Sequence, residues 1–246
     1  MNKIKRLFFD IETSGNICFV WQTGHKIQVD YHNIIKERAV ICICYKWEGS
    51  NTVYSLTWDS KQNDKTMIKE FIKIMDKADE VVAHNGDRFD IAWLRTRCAF
   101  HGIPMMPNYT SIDTLKAVRS KFKFNSNRLD YLAKYFNIGG KIENGGLENL
   151  KRIVLEKNKT ALNDMVRYCK NDVIILEKVF DKLVNYIPAK THIGRVASNC
   201  PECDSENTII NKHTITATGV RKVSYKCRDC GKYHSINEKK FNNGKK

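Results

Sequence analysis

Two acidic residues inside an apolar strand constrain this chain more than any other feature of it. The run from Ile4 to Ile11 reads as a short buried strand, and the acids fall within Phe8-Phe9-Asp10-Ile11-Glu12-Thr13. A strand repeats every two residues, so Asp10 and Glu12 project from one face. Holding two carboxylates side by side among apolar neighbours is costly unless a positive charge neutralises them. A divalent cation would do so. The plainer alternative is a sheet edge where both acids point into water, and Phe8, Phe9 and Ile11 argue against full exposure.

The rest of the chain predicts the layers that such a strand joins. Asn16 to Tyr31 reads as an extended excursion or hairpin. Ala39–Trp47 and Thr52–Trp58 are predicted strands, with Gly49, Ser50 and Asn51 as the turn between them. The period then changes: Met67, Ile68, Phe71, Ile72, Ile74 and Met75 fall at helical spacing within Asp64–Ala78. Glu80–His84 is a predicted strand, followed by a helix from Asp87, at the expected N-cap, to His101 before Gly102. A short strand over Tyr109–Ile112 and helices over 114–121, 127–136, 147–155 and 160–186 complete the pattern. Asp113 reads as the N-cap of the helix from Thr114. Strands first, then alternating helices and strands, predict an α/β fold with a mixed sheet flanked by helices.

Four of the nine cysteines form two C-x-x-C pairs, Cys200–Cys203 and Cys227–Cys230. Four thiolates so spaced suit one structural Zn²⁺ in tetrahedral coordination. The alternating residues between the pairs, with Thr218-Gly219 as a turn, predict a hairpin, hence a zinc ribbon. About 50 residues cannot make a large core, so the metal would supply folding energy. The expected organisation is a main domain over 1–188, a polar linker over 189–197, the ribbon over 198–236 and a basic, disordered tail over 237–246.

The 246 residues carry a net charge of +15, and 195–246 hold 11 Lys and Arg against 5 Asp and Glu. Basic charge is thus spread over both parts, which points to a polyanion partner; a solvated lysine-rich surface is the bland alternative. No apolar run is long enough for a signal peptide or a membrane span. An odd cysteine count without a signal peptide argues for a reducing compartment.

Two further acids complete a pattern. Asp90 lies in His84-Asn85-Gly86-Asp87-Arg88-Phe89-Asp90, near a helix start. Asp172 follows Tyr168 by four residues in the last helix, so the two share a face. Strand D-x-E, then N-x-x-x-F-D, then Y-x-x-x-D over roughly residues 4–186 resembles the DEDD exonucleases of the DnaQ-like, RNase H-like superfamily. Arg167 stands where the histidine branch carries its histidine, so the chain looks like the DEDDy branch. The opening FFDIETSGN also resembles stand-alone phage-type members. The resemblance implies a 3′–5′ exonuclease that releases nucleoside 5′-monophosphates by a mechanism using two Mg²⁺ or Mn²⁺ ions. In it Asp10 bridges both ions, Glu12 and Asp172 hold the ion that activates water, Asp90 supports the second, and Tyr168 orients the water. Thr13, Asn85 and Phe89 match substrate-binding positions; Phe89 is as readily a core residue.

Single-stranded or 3′-ended DNA is the favoured substrate. An RNA-directed or structure-specific nuclease with the same site is one alternative, and a non-catalytic nucleic-acid-binding module is another, ranked last because all four acids and Tyr168 are present. The reading places no polymerase domain on the chain, so proofreading would require a replication or repair protein as partner. The expected location is the cytoplasm, that of the host if the chain is phage-encoded.

Overall fold

Alternation along the first long strand sorts the molecule into two layers. The computed structural model describes residues 3–24, 27–140, 142 and 145–239. The strand β1 (Arg6–Thr13) is followed by a small hairpin of β2 (Ile17–Cys18) and β3 (Ile34–Lys36), then by β4 (Val40–Trp47), β5 (Tyr54–Thr57), α1 (Lys65–Met75), β6 (Glu80–Ala83) and α2 (Asp90–His101). After these come β7 (Ser111–Asp113), α3 (Thr114–Lys121), α4 (Leu129–Tyr135), α5 (Gly146–Val154) and the long α6 (Lys159–Leu183). The main sheet has the order β5-β4-β1-β6-β7. β1 and β4, and β4 and β5, pair antiparallel, whereas β1 and β6, and β6 and β7, pair parallel. This is the mixed sheet flanked by helices that the sequence predicts.

Leu7, Phe9 and Ile11 enter the apolar cluster shared with α1 and α2, while Phe8 enters the one shared with α3 to α6. Phe9 meets Phe71 with ring centroids 5.3 Å apart, and Phe8 meets Phe180 at 5.4 Å. Burying each such ring contributes roughly 1.5–3 kcal/mol. Arg6, Asp10 and Glu12 share the parity of Phe8, so all three belong to the α6 side. α6 buries Ala161, Met165, Cys169, Asp172, Val173, Leu176, Phe180 and Leu183, a stripe at helical spacing into which Asp172 is set. Its N-terminus is capped by Asn158, which accepts from Ala161 N at 3.0 Å.

One helix starts later than expected, and another is entered by an aspartate that does not cap it. α2 begins at Asp90, not Asp87, because the Asp87 carboxylate is spent elsewhere: it accepts from Ser111 Oγ and Lys116 Nζ, both at 2.6 Å. Asp64 precedes α1 without capping it, since Arg97 and His101 of α2 grip its carboxylate at 2.6–2.8 Å. Asp113 does cap α3, accepting from Leu115 N and Lys116 N.

The C-terminal residues form a second, three-stranded antiparallel sheet, β8 (Thr208–Ile215), β9 (Arg221–Cys227) and β10 (Tyr233–Asn237), in the order β10-β9-β8. The turn falls at Gly219 with φ 77°, as expected. β10 is not predicted by the sequence pattern; its polar residues alternate weakly, and Asn237, placed in the expected tail, is its last residue. Residues 240–246 of that tail lie outside the described residues.

This small sheet is bolted to the large one by buried charge. The guanidinium of Arg6 on β1 reaches Glu80 at 2.7 Å, Glu48 at 3.2 Å and Glu202, between the paired Cys200 and Cys203. Arg6 is 4% exposed and Glu80 1%. Lys232, 2% exposed, donates at 2.6 Å to the carbonyls of Val184 and Ile187, just past the end of α6, where the helix dipole favours a cation. Replacing Lys232 by Met keeps the volume and strands both carbonyls. It should lower unfolding free energy by about 1–3 kcal/mol, read from urea denaturation followed by far-UV circular dichroism; an unchanged midpoint would show that the contact is idle.

Candidate active site

The register of the sheet sets the floor of the site. Asp10 lies opposite Cys44 and Glu12 opposite Cys42 on β4, and both cysteines join the cluster on the α6 side. α6 crosses that face and delivers Cys169, whose thiol donates to the main-chain oxygen of Asp10 at 3.4 Å and to its carboxylate at 3.5 Å. Burial pushes the Cys169 thiol well above its ordinary value, so it is held as the protonated donor. Asp172 lies three residues on, on the same helix face. The third element is the turn from β6 to α2. Asn85 takes a left-handed φ of 71°, and a Cβ on Gly86 would stand 2.5 Å from that of Ala83, so only glycine fits the reversal. The turn brings Asp90 back against β1, where it accepts from Ile11 N at 3.1 Å.

Asp10 thus has Asp90, Glu12 and Asp172 close enough for their charges to act on it. Burial raises the Asp10 carboxyl well above its ordinary value, and the charges of Asp90, Glu12 and Asp172 raise it further. Burial likewise pushes Asp90 up, to about 7, with Asp113 adding to the effect and the hydrogen bond from Ile11 N opposing it. Like charges gathered where water is scarce need a counter-charge. Carboxylate oxygens suit hard divalent cations, so the donor set fits the ions the sequence implies.

A cleft of about 900 Å³ opens over Asp10 and Asp172. Arg119, Arg128 and Lys134 line it, as does His84, whose ring nitrogens lie 2.9 Å from Thr114 Oγ1 and from the Asn127 carbonyl oxygen. Among the described residues, Asp10 and Asp172 are the two of the four acids that line the cleft, and Asp90 is buried beside β1. Tyr168 is half-buried, one helical turn before Asp172. Thr13 ends β1, half-buried. Asn85 donates its amide to Asp113 at 3.1 Å, and Phe89 packs half-buried against the α1–α2 cluster, which favours its core role. Sequence reasoning did not pick out His84 or Cys169. The signal for Cys169 was its place three residues before Asp172; for His84 there was none beyond its closeness to Asn85. Arg128, just before α4, also lines the cleft.

In the small sheet, the four paired cysteines converge. Sγ separations are 3.5 Å for Cys200–Cys230, 3.7 Å for Cys203–Cys227 and 3.5 Å for Cys203–Cys230. Four sulfurs about 2.3 Å from a shared tetrahedral centre lie about 3.8 Å apart, so the cluster matches a zinc site. Burial works against the Cys227 thiolate, but main-chain N–H groups of Cys230 and Asp229 and the neighbouring thiols hold its pKa below the ordinary value.

Residues 7–184 match the model of the RNase_H superfamily. Over 103 residues the chain is 29% identical to a DNA polymerase of Thermococcus hydrothermalis, a stretch covering 41% of this chain and 6% of that protein. It is also 29% identical over 103 residues to a DNA polymerase of Thermococcus sp. (strain 9oN-7), covering 41% and 12%. The chain therefore spans a small part of the curated relatives it matches. The structure of the family B DNA polymerase from the hyperthermophilic archaeon Pyrobaculum calidifontis is similar with a TM-score of 0.56 at 17% identity, covering 75% of this chain and 25% of that one. No helix among the described residues is long and apolar enough to cross a membrane.

The raised carboxyl of Asp90 fixes a pH dependence. Between its ordinary value of 3.8 and about 7, the folded protein keeps a proton that the unfolded chain has released. Stability therefore falls as pH rises through that window, and the full penalty is present above it. Without added divalent cations, the melting temperature should drop from pH 5 to pH 8. Asp10→Asn should melt several degrees above the parent at pH 8, at about 2–4 °C per kcal/mol relieved, with the gap narrowing as the pH falls and closing only below the ordinary carboxyl value of 3.8. Differential scanning calorimetry checks this, and an Asp10→Asn protein that is less stable at pH 8 would refute the repulsion.

Proposed function

As the chain belongs to the RNase H superfamily, we propose that it is a metal-dependent nuclease, a DEDDy-type 3′–5′ exonuclease acting on DNA. The observation that carries this reading is the convergence of four carboxylates from β1, α2 and α6 under a cleft with a basic wall. The RNase H-like fold and the likeness to proteins named DNA polymerases support it.

Asp10, Glu12, Asp90 and Asp172 would hold two Mg²⁺ or Mn²⁺ ions. When bound, they supply Lewis acidity to the scissile phosphate and lower the pKa of water. The protein does the rest by positioning. The Cys169 thiol fixes the rotamer of Asp10, and Ile11 N fixes Asp90. Tyr168, on the same α6 face as Asp172, presents a hydroxyl to orient the attacking water. Arg119, Arg128 and Lys134 attract the phosphate backbone into the cleft. Thr13 and Asn85 border the terminal nucleotide, with Phe89 packed against the α1–α2 cluster beneath that turn. Single-stranded or 3′-ended DNA is the proposed substrate and a nucleoside 5′-monophosphate the product, released in a reducing cytoplasm.

The domain division stands as part of the proposal: a catalytic domain over 1–188, a linker over 189–197 and a zinc ribbon over 198–236 whose four thiols hold one Zn²⁺. A replication or repair protein is the proposed partner.

Three variants test these assignments on labelled single-stranded and duplex DNA and RNA, with Mg²⁺ or Mn²⁺ and product ends identified. Asp10→Ala should abolish cleavage with the fold and zinc content intact; full activity would sink the site. Tyr168→Phe should lower kcat at least about tenfold with little change in KM, and an unchanged kcat with chemistry rate-limiting would reduce Tyr168 to packing. Cys203→Ser should lower the zinc bound per chain, by atomic absorption, from one to well below one.

A further inference from the structure

The hairpin that follows β1 exposes apolar rings that the fold gives no reason to expose. Trp21 is 90% exposed, Tyr31 72%, Ile35 69% and Phe19 55%. Phe19 and Trp21 stand edge to face with centroids 5.2 Å apart, and Tyr31 lies 3.9 Å from the ring of His32. Soluble surfaces rarely gather large apolar groups in this way without a partner. The rings sit on an ordered support. Cys18 pairs with Ile34, Phe19 N donates to Asn33 O at 2.9 Å, and the Asp30 carboxylate accepts from His32 N at 2.9 Å.

The base of the hairpin is fastened beside the acids. Ser14 N donates to Ala39 O at 2.9 Å, Ala39 N returns to Ser14 Oγ at 2.9 Å, and Arg38 N donates to Asn16 Oδ1 at 2.9 Å. The Arg38 guanidinium lies 5.3 Å from the ring centre of Trp93, in the first turn of α2, three residues after Asp90. Phe19 is seven residues beyond Glu12, hence at most about 25 Å from it along the chain. Residues 14–39 carry three Lys and Arg against two Asp and Glu. The arm is nearly neutral, and Arg119 and Arg128 of the cleft lining are the cations there, with Lys134 paired to Asp130 at 2.9 Å. The arm is thus equipped to stack on bases, not to attract phosphates.

We propose that this hairpin is a base-stacking arm that holds unpaired bases of single-stranded DNA upstream of the 3′ terminus in the cleft. The inference rests on the nuclease reading for its choice of occupant. It adds how that substrate is held: several unpaired nucleotides are recognised by ring faces and so without sequence preference. DNA is the committed ligand because the matched relatives carry the name DNA polymerase.

The test uses the full chain without added Mg²⁺ or Mn²⁺, so that the probe stays intact. Fluorescence anisotropy gives the affinity for labelled (dT)12, for an abasic DNA of the same length, and for (rU)12. The parent should bind (dT)12 on the order of tenfold more tightly than the abasic strand. Trp21→Ala should lose at least about fivefold on (dT)12 and stay within about twofold on the abasic strand, with the salt dependence unchanged. Trp21→Phe should retain the preference for bases. Melting temperatures of both variants should equal that of the parent, given the exposure of Trp21. A Trp21→Ala protein that still discriminates bases from abasic sites overturns the stacking arm, as does a loss confined to the salt-dependent component. Discrimination found with (rU)12 and not (dT)12 overturns the choice of DNA. A separate arm incubates the parent with Mg²⁺ and thymidine 5′-(p-nitrophenyl phosphate), which occupies only the cleft, and with the same (dT)12. If neither is hydrolysed, the nuclease reading fails, and the affinity comparison still decides the arm.

Discussion

Repulsion among four neighbouring carboxylates, two of them buried at Asp90 and Asp172, is the constraint on which the larger part of this molecule depends. Asp10, Glu12, Asp90 and Asp172 come from three elements, and none of those elements gains stability by placing a charge there. The surrounding packing has to hold them together. Phe8 and Phe9 lock β1 from both faces through Phe180 and Phe71, and the stripe on α6 presses Cys169 and Asp172 onto the sheet. The cluster is stored strain in electrostatic form, which a cation relieves.

The part of this arrangement legible in the sequence is the part governed by short periods. The parity of β1 put Asp10 and Glu12 on one face, and the four-residue step put Tyr168 and Asp172 on one side of α6. Helix and sheet layers followed from apolar spacing in the same way. What escaped was decided by groups distant in sequence. Asp87 and Asp64 each precede a helix as a capping residue would, yet neither caps, because Ser111 and Lys116 take one and Arg97 and His101 the other. Capping preference is worth about 1 kcal/mol, less than a buried carboxylate held by a bidentate guanidinium demands. His84 and Arg128 gained their places on the cleft wall from loop geometry that no local pattern encodes. β10 escaped because a five-residue strand of mostly polar residues carries too little alternation to be read.

The paired cysteines illustrate the reverse case. Their spacing alone foretold convergence, and the sulfur separations fall where a tetrahedral ion would set them. The spacing was silent about how the small sheet meets the large one. That contact depends on Glu202, a residue between two cysteines with no periodic partner, and on Lys232, which reads as one more surface lysine in a basic stretch and is instead 2% exposed.

Arg6 begins the strand that holds Asp10 and Glu12, and it answers to carboxylates from both sheets at once. The small sheet is therefore no transplantable cassette. Grafted onto another domain, it would arrive with Glu202 and Lys232 seeking a guanidinium and a pair of helix-end carbonyls that the recipient lacks. Removed from this one, it would leave an arginine facing Glu80 and Glu48 with one acid fewer and newly open to water. Recombination that shuffles such modules between chains would have to carry the first strand and the end of the last helix together with the small sheet, although some two hundred residues separate the first strand from it in the sequence.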